Sequence, residues 1–253
     1  MLKYGVHEVI VMYKNYIFDL YGTLIDINTN EWDIDLWKKM SVWYGYKGAV
    51  YTAEELNSAY GRLVEEEKTK VHKRHKNYSV IDIKIEKVFK KLYTEKGVKA
   101  TKAEVLETAA VFRCYSTVYI KLYDGVIDLL DTLKAKGKKI YLLSNAQRSF
   151  TENEIKMLDL EKYFDGIVIS SDEECSKPDV NYYKILFERY ALTKEESIMI
   201  GNDYISDISG AADFGIDSLY IHQSISPEIK GKLRSNYKIM DGDVYKIKKK
   251  IVK

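Results

Sequence analysis

The chain has 253 residues, 46% hydrophobic and 31% charged, with a net charge of +2. That is enough apolar content for one large domain, or a core with a smaller second one, and the near-neutral balance gives no push toward nucleic acid or a membrane surface. No apolar run approaches a bilayer-spanning length, and two distant cysteines, Cys114 and Cys175, suggest neither a disulfide framework nor a metal knuckle, so a reducing, cytoplasmic setting is expected.

The N-terminal MLKYGVHEVIVMYK lacks the long apolar stretch and cleavage site of a signal peptide, and residues 1–11 read as a dispensable extension before Met12. NYIFDLYGTLID (15–26) follows, where an apolar strand over 16–20 runs into Asp19, with Tyr21, Gly22 and Thr23 just beyond. Residues 31–121 then read as helical. Thr52 with Glu55 and Thr101 with Glu104 have capping-box spacing, and Leu56, Ala59, Tyr60, Leu63 and Val64 form one stripe, Ile85, Val88, Phe89 and Leu92 another. This block carries 18 Lys/Arg against 13 Asp/Glu, which reads either as solvated helix faces or as a basic lid over an acidic core.

From residue 122 the pattern changes. The short, nearly continuous apolar runs KKIYLLSN (138–145), GIVISS (166–171), SIMIGND (197–203) and DSLYIH (217–222) fit strands buried on both faces. Amphipathic segments separate them, as in Val126, Leu129, Leu130 and Leu133 ahead of Gly137. Thr151 with Glu154 and Thr193 with Glu196 again have capping-box spacing, Ser226-Pro227 reads as a helix start, and the closing KIKKKIVK reads as a frayed basic tail. The fold class expected is α/β, a doubly wound parallel sheet built from residues 1–30 and 122–253, with a smaller all-helical cap from 31–121.

Ligands gather at the C-terminal ends of parallel strands. There the sequence delivers Asp19, then Ser144-Asn145, then Lys177-Pro178 after a short loop, then Asn202-Asp203 with Asp207. Each alone has a plain structural reading as a cap, turn or loop residue. In order, as DLYGT (19–23), SN (144–145), KPD (177–179) and GNDYISD (201–207), the four motifs resemble those of the haloacid dehalogenase superfamily, in the branch with a helical cap inserted after the first strand.

That resemblance, which covers essentially the whole chain, implies Asp19 as a nucleophile forming an aspartyl phosphate and Lys177 as the cation beside it. Thr23 and Ser144 would donate hydroxyls to the transferring group, Asn145 an amide, and Gly22 the tight turn. A Mg²⁺ ion would be held by Asp19, the Tyr21 backbone carbonyl, Asp203, and Asp207 directly or through water. The partner implied is a small anionic, phosphorylated substrate, and oligomeric state stays open. Tyr21 departs from the phosphatase pattern, in which a second Asp acts as the acid and base; Asp26 or a cap residue is a replacement candidate. Tyrosine there, with Tyr183 six residues after Lys177, matches the metal-free dehalogenases. Those enzymes use a cap arginine, for which Arg62 and Arg113 are candidates. A phospho-ligand binding protein with vestigial turnover is the third reading.

Overall fold

The computed structural model describes residues 13–252, so the expectation for residues 1–11 lies outside the described residues. In chain order the elements begin with strands β1 (Asn15–Phe18) and β2 (Ile25–Thr29). Four helices follow: α1 (Ile34–Tyr46), α2 (Ala53–Arg74), α3 (Ile85–Glu95) and α4 (Lys102–Ser116). Next come β3 (Thr117–Leu122), α5 (Val126–Ala135), β4 (Lys139–Ser144), α6 (Arg148–Met157), β5 (Gly166–Ile169), α7 (Ser170–Glu173) and α8 (Val180–Tyr190). The chain closes with β6 (Ser197–Gly201), α9 (Gly210–Phe214), β7 (Asp217–Ile221), β8 (Tyr237–Ile239) and α10 (Tyr245–Ile251).

Six strands form one parallel sheet in the order β5-β4-β1-β6-β7-β8. Helices cover both faces, which is why the central strands are apolar almost without interruption. Strand alternation divides β1 between two cores. Tyr16 and Phe18 pack with Leu142, Ile198 and the Leu129/Leu130/Leu133 face of α5, whereas Ile17 packs with Leu143, Met199 and the Tyr182/Tyr183/Leu186 face of α8. Because β1 is central, its C-terminal end at Asp19 lies between those of β4 and β6, at the point where the strand order reverses.

The helical insertion begins after β2 rather than directly after β1, and returns through β3. These two strands pair antiparallel as a separate ribbon, with an irregularity at Asn28/Thr29. TVYIKL was read as part of the helical block; its β-branched alternation is the overlooked strand signal. Within the block, the Thr52/Glu55 and Thr101/Glu104 capping boxes both form. Elsewhere capping spacing misled. Thr151 and Glu154 lie inside α6, whose N-cap is Gln147, and Thr193–Glu196 makes a single 3₁₀ turn. Ser226-Pro227 starts no helix. The basic tail is α10, anchored by buried Ile247 and Ile251.

The helical block is docked on the core by more than its two linkers. Ile81 bridges Cys175, Ser176 N–H donates to Val80 O at 3.1 Å, and Asp82 N–H donates to Glu174 O at 3.2 Å. The Glu174 carboxylate receives Arg74 at 2.7 Å, His75 at 3.0 Å and Lys87 at 3.1 Å, all from the insertion. Burial raises the Glu174 carboxyl, but Arg74, Lys87 and His75 outweigh it and hold the group down to about 2. A depressed carboxyl stabilises the fold fully above its ordinary value near 4.5, and that contribution is lost as pH falls through about 2. Glu174→Gln should therefore cost about 1–2 kcal/mol at pH 7 by urea unfolding, allowing for partly exposed partners, with the difference from wild type shrinking below pH 4. Equal midpoints at pH 7 would remove this contact from the docking account.

Candidate active site

Lys177 is only 2% exposed, an unusual place for an ammonium group. Its Nζ donates to Asp19 Oδ1 and Asp207 Oδ1, each at 2.7 Å, so one cation ties the end of β1 to the segment after β6. Burial works against the charge, but Asp19 and Asp207 outweigh it and raise the lysine's pKa. Asn145 fixes the lysine's backbone from both sides: its Nδ2 donates to Lys177 O at 2.9 Å and its Oδ1 accepts Lys177 N–H at 2.8 Å. Asp207 accepts Lys177 at Oδ1 and the Asp203 N–H at Oδ2, the latter at 2.9 Å. Burial, with Asp19 nearby, still pushes the Asp207 carboxyl up to about 7.

After Asp19 the chain turns sharply. Gly22 has φ of +81°, and any Cβ there would overlap the Asn202 amide. Thr23 is buried with its hydroxyl donating to Asn202 Oδ1 at 3.3 Å, so Asn202 braces this turn against the end of β6. Ser144 Oγ, at the end of β4, is buried without a hydrogen-bond partner. Tyr183 donates to the carbonyls of Ser206 at 2.7 Å and Asp207 at 3.0 Å, pinning the π-helical turn Tyr204–Ser209.

A cleft of about 200 Å³ is lined by Asp19, Tyr21, Asn145, Lys177, Asn202, Asp203 and Asp207, among others. Three carboxylates against one ammonium leave it with a formal charge of −2. Among the described residues no group of three or more His, Cys, Asp or Glu side chains is gathered into a metal cage. The donor chemistry nevertheless suits Mg²⁺, which takes one or two carboxylates and keeps several waters. Asp19 gives only one oxygen to Lys177, and Asp203 is oriented by the N–H groups of Ile205 at 2.8 Å and Ser206 at 3.0 Å. Asp203 Oδ2 also accepts the Ser206 hydroxyl at 3.2 Å, and Asp207 accepts one hydrogen bond at each oxygen.

The Tyr21 side chain turns toward the helical insertion. Its hydroxyl donates to Glu154 Oε2 and lies 2.9 Å from Thr151 Oγ1, while Glu154 Oε1 accepts Arg113 Nε at 2.6 Å. The Arg113 guanidinium lies 5.6 Å from the Tyr21 ring centre and 5.3 Å from that of Phe150. Burial, with the Glu154 carboxylate beside it, raises the Tyr21 phenol well above its ordinary value, so it stays neutral. Glu154 and Thr151 were hidden in the sequence by their resemblance to a capping box. An arginine on the apolar face of α4, which demands a buried acidic partner, was the available signal.

The other candidates fall elsewhere. Asp26 accepts from Tyr119 at 3.1 Å within the β2–β3 ribbon and lines neither cavity. Arg62 pairs on the surface with Glu66 and Glu95. A second cavity of about 750 Å³ lies between insertion and core, and it shares Tyr21 and Asn145 with the acidic cleft. Its lining cations, Lys68 and Arg113, are paired with Glu65 and with Glu154 and Glu31, so no basic lid faces the site.

Replacing Lys177 by Ala strands two buried carboxylates, and breaking a buried pair in this way costs about 3–5 kcal/mol. Urea denaturation should read a loss of that order for Lys177→Ala, and a loss below about 1 kcal/mol would contradict the electrostatic account of the site.

Residues 13–215 match the family described as haloacid dehalogenase-like hydrolase. The pyrimidine 5'-nucleotidase PynA of Streptococcus pneumoniae is 30% identical over 97 residues, 38% of this chain and 41% of that protein. The chain spans about half the length of the curated relatives it matches. Among solved structures, a 2-haloacid dehalogenase from Pseudomonas syringae pv. Tomato aligns over 90% of this chain and 94% of its own, with a TM-score of 0.63 and 19% identity. The magnesium-bound YfnB of Bacillus subtilis aligns over 94% and 98%, with a TM-score of 0.54 and 18% identity. Phosphatases and dehalogenases thus share this backbone, and the chain belongs to the haloacid dehalogenase-like hydrolases.

Proposed function

We propose that this hydrolase is a Mg²⁺-dependent phosphatase that cleaves a small phosphomonoester through an aspartyl phosphate on Asp19. The observation that carries the reading is the charge of the cleft. Three carboxylates beside one buried ammonium would repel a phosphate dianion, and a divalent cation offsets the formal charge of −2. Curated relatives named as nucleotidase and phosphatase support the same direction.

In the first step a free oxygen of Asp19 attacks phosphorus, the P–O bond to the leaving group breaks, and the electron pair departs with that oxygen. Lys177 pairs with Asp19 and faces the charge spread over the phosphoryl oxygens. Asn145 keeps Lys177 in register, and the orphaned Ser144 hydroxyl has the chemistry to donate to a phosphoryl oxygen. Asp19, Asp203 and the Tyr21 carbonyl would hold Mg²⁺, which would supply charge neutralisation for the phosphoryl group. Asp207 acts through Lys177 rather than as a direct ligand. Thr23, whose hydroxyl is committed to Asn202, braces the turn that Gly22 makes. Water then attacks the aspartyl phosphate, releasing inorganic phosphate and regenerating Asp19.

Tyr21 at the acid position favours a second reading, metal-free carbon–halogen hydrolysis, because halide leaves without a proton. Against it, a 2-haloacid needs a free cation for its carboxylate, and among the described lining residues Arg113 is tied to buried Glu154, leaving only Lys68 in an exposed pair with Glu65. A Mg²⁺-dependent ligand-binding protein without turnover is separated from both by activity. Inorganic phosphate should be released from a phosphomonoester panel only with Mg²⁺, and Asp19→Asn should lower the rate at least about 10³-fold. Turnover unaffected by EDTA, or halide release from 2-haloacids without metal, would contradict the proposal.

A further inference from the structure

Resting on the phosphatase reading, we propose that the cavity between insertion and core takes an aromatic leaving group, so that the substrates are monoesters of phenols, small aryl phosphates. Two independent features point there. The first concerns protons. An alkyl ester leaves as an alkoxide and needs an acid, and positioned acids contribute about 10²- to 10⁴-fold. Here the Tyr21 hydroxyl, at the acid position, donates to Glu154, whose other oxygen is held by Arg113. A phenol, with a pKa of about 10, leaves as phenolate with its electron pair and needs no proton in the transition state.

The second feature is the wall beyond Tyr21. The cavity of about 750 Å³ meets the acidic cleft at Tyr21 and Asn145, so a group leaving from phosphorus at Asp19 enters it there. Its size suits an enclosed small molecule rather than a polymer segment. Trp37 and Tyr60, with ring centres 5.0 Å apart, line it together with Phe150. Trp32, also lining it, is 87% exposed, which leaves a large ring face at the mouth with little packing of its own. With Arg113 committed to Glu154, the described lining offers a charged leaving group only Lys68, which is in an exposed pair with Glu65.

The reaction balances without a further reagent. Asp19 bonds to phosphorus as the aryl C–O–P linkage breaks at P–O, phenolate takes up a proton from solvent, and water later hydrolyses the aspartyl phosphate. Of the remaining lining acids, Glu31 stands 3.8 Å from Arg113 with its carboxyl raised by burial, and Asp82, also raised by burial, accepts from Ser170, Gln147 and the Ile83 N–H.

The test compares phenyl, benzyl and cyclohexyl phosphates with Mg²⁺, because benzyl keeps the ring but leaves as an alkoxide. The expected result is a kcat/KM for phenyl phosphate at least about 100-fold above both others. Benzyl phosphate should compete with phenyl phosphate several-fold better than cyclohexyl phosphate does. Trp32→Ala should lower the ratio of kcat/KM for phenyl phosphate over acetyl phosphate about five-fold or more. Alkyl esters turned over within tenfold of phenyl phosphate would overturn the proposal by revealing an acid, while leaving the phosphatase reading intact. An unchanged Trp32→Ala ratio, with benzyl competing no better than cyclohexyl, would overturn the aromatic site. Absence of any Asp19-dependent phosphate release would sink the phosphatase reading and this inference with it.

Discussion

The ammonium of Lys177, enclosed between Asp19 and Asp207, is the interaction on which the arrangement of the site depends. A buried charge is tolerated only when paired, and here the pairing draws together three segments that are far apart in sequence. Asp19 comes from the end of β1, Lys177 from the loop before α8, and Asp207 from the turn after β6. Once these are joined, the surrounding contacts follow. Asn145 grips the lysine's backbone, Asn202 occupies the space that Gly22 leaves open, and Tyr183 holds the carbonyls around Asp207. The result is a cleft whose acidity exceeds its single cation, which is the ground on which a divalent metal is proposed for it.

Tyr21, at the position where the family resemblance implies a carboxylate, is held by a network rather than by one side chain. Tyr21, Thr151, Glu154 and Arg113 form a connected set across the boundary between core and insertion, and Arg113 also covers the Tyr21 ring. A phenol held in this way has its proton committed to Glu154 and, being neutral, cannot act as a base toward water. The same ring forms part of the wall between the acidic cleft and the larger aromatic cavity. One residue thus removes an acid and adds an apolar surface, and both changes favour a leaving group that is aromatic and acidic.

The sheet and its four polar strand ends were legible because strands buried on both faces write continuous apolar runs, and because parallel topology puts their C-terminal residues together. Asp19, Lys177 and Asp207 therefore meet as their positions suggested. What sequence could not convey was which oxygens are already occupied. Thr23 and Asn145 carry donors, as read, but Thr23 gives its hydroxyl to Asn202 and Asn145 gives an amide hydrogen to Lys177. Thr151 and Glu154 carried a misleading local pattern, since capping-box spacing and an inward-facing pair inside a helix look the same in one dimension. Part of the insertion's charge excess is taken up by acids of the core, Arg74 and Lys87 pairing with Glu174 and Arg113 with Glu154.

The central claim is that Asp19 forms a covalent phosphoryl bond while no side chain activates the water that must break it. Attack on an aryl ester should then outrun hydrolysis of the intermediate. The direct measurement is rapid acid quench of the enzyme turning over phenyl phosphate with Mg²⁺, followed by mass spectrometry of the Asp19 peptide and a stopped-flow record of phenolate. The account predicts a phosphorylated Asp19 at a large fraction of the enzyme, with a burst of phenolate of similar amplitude before the steady state. Sustained Asp19-dependent turnover with neither burst nor adduct would contradict it.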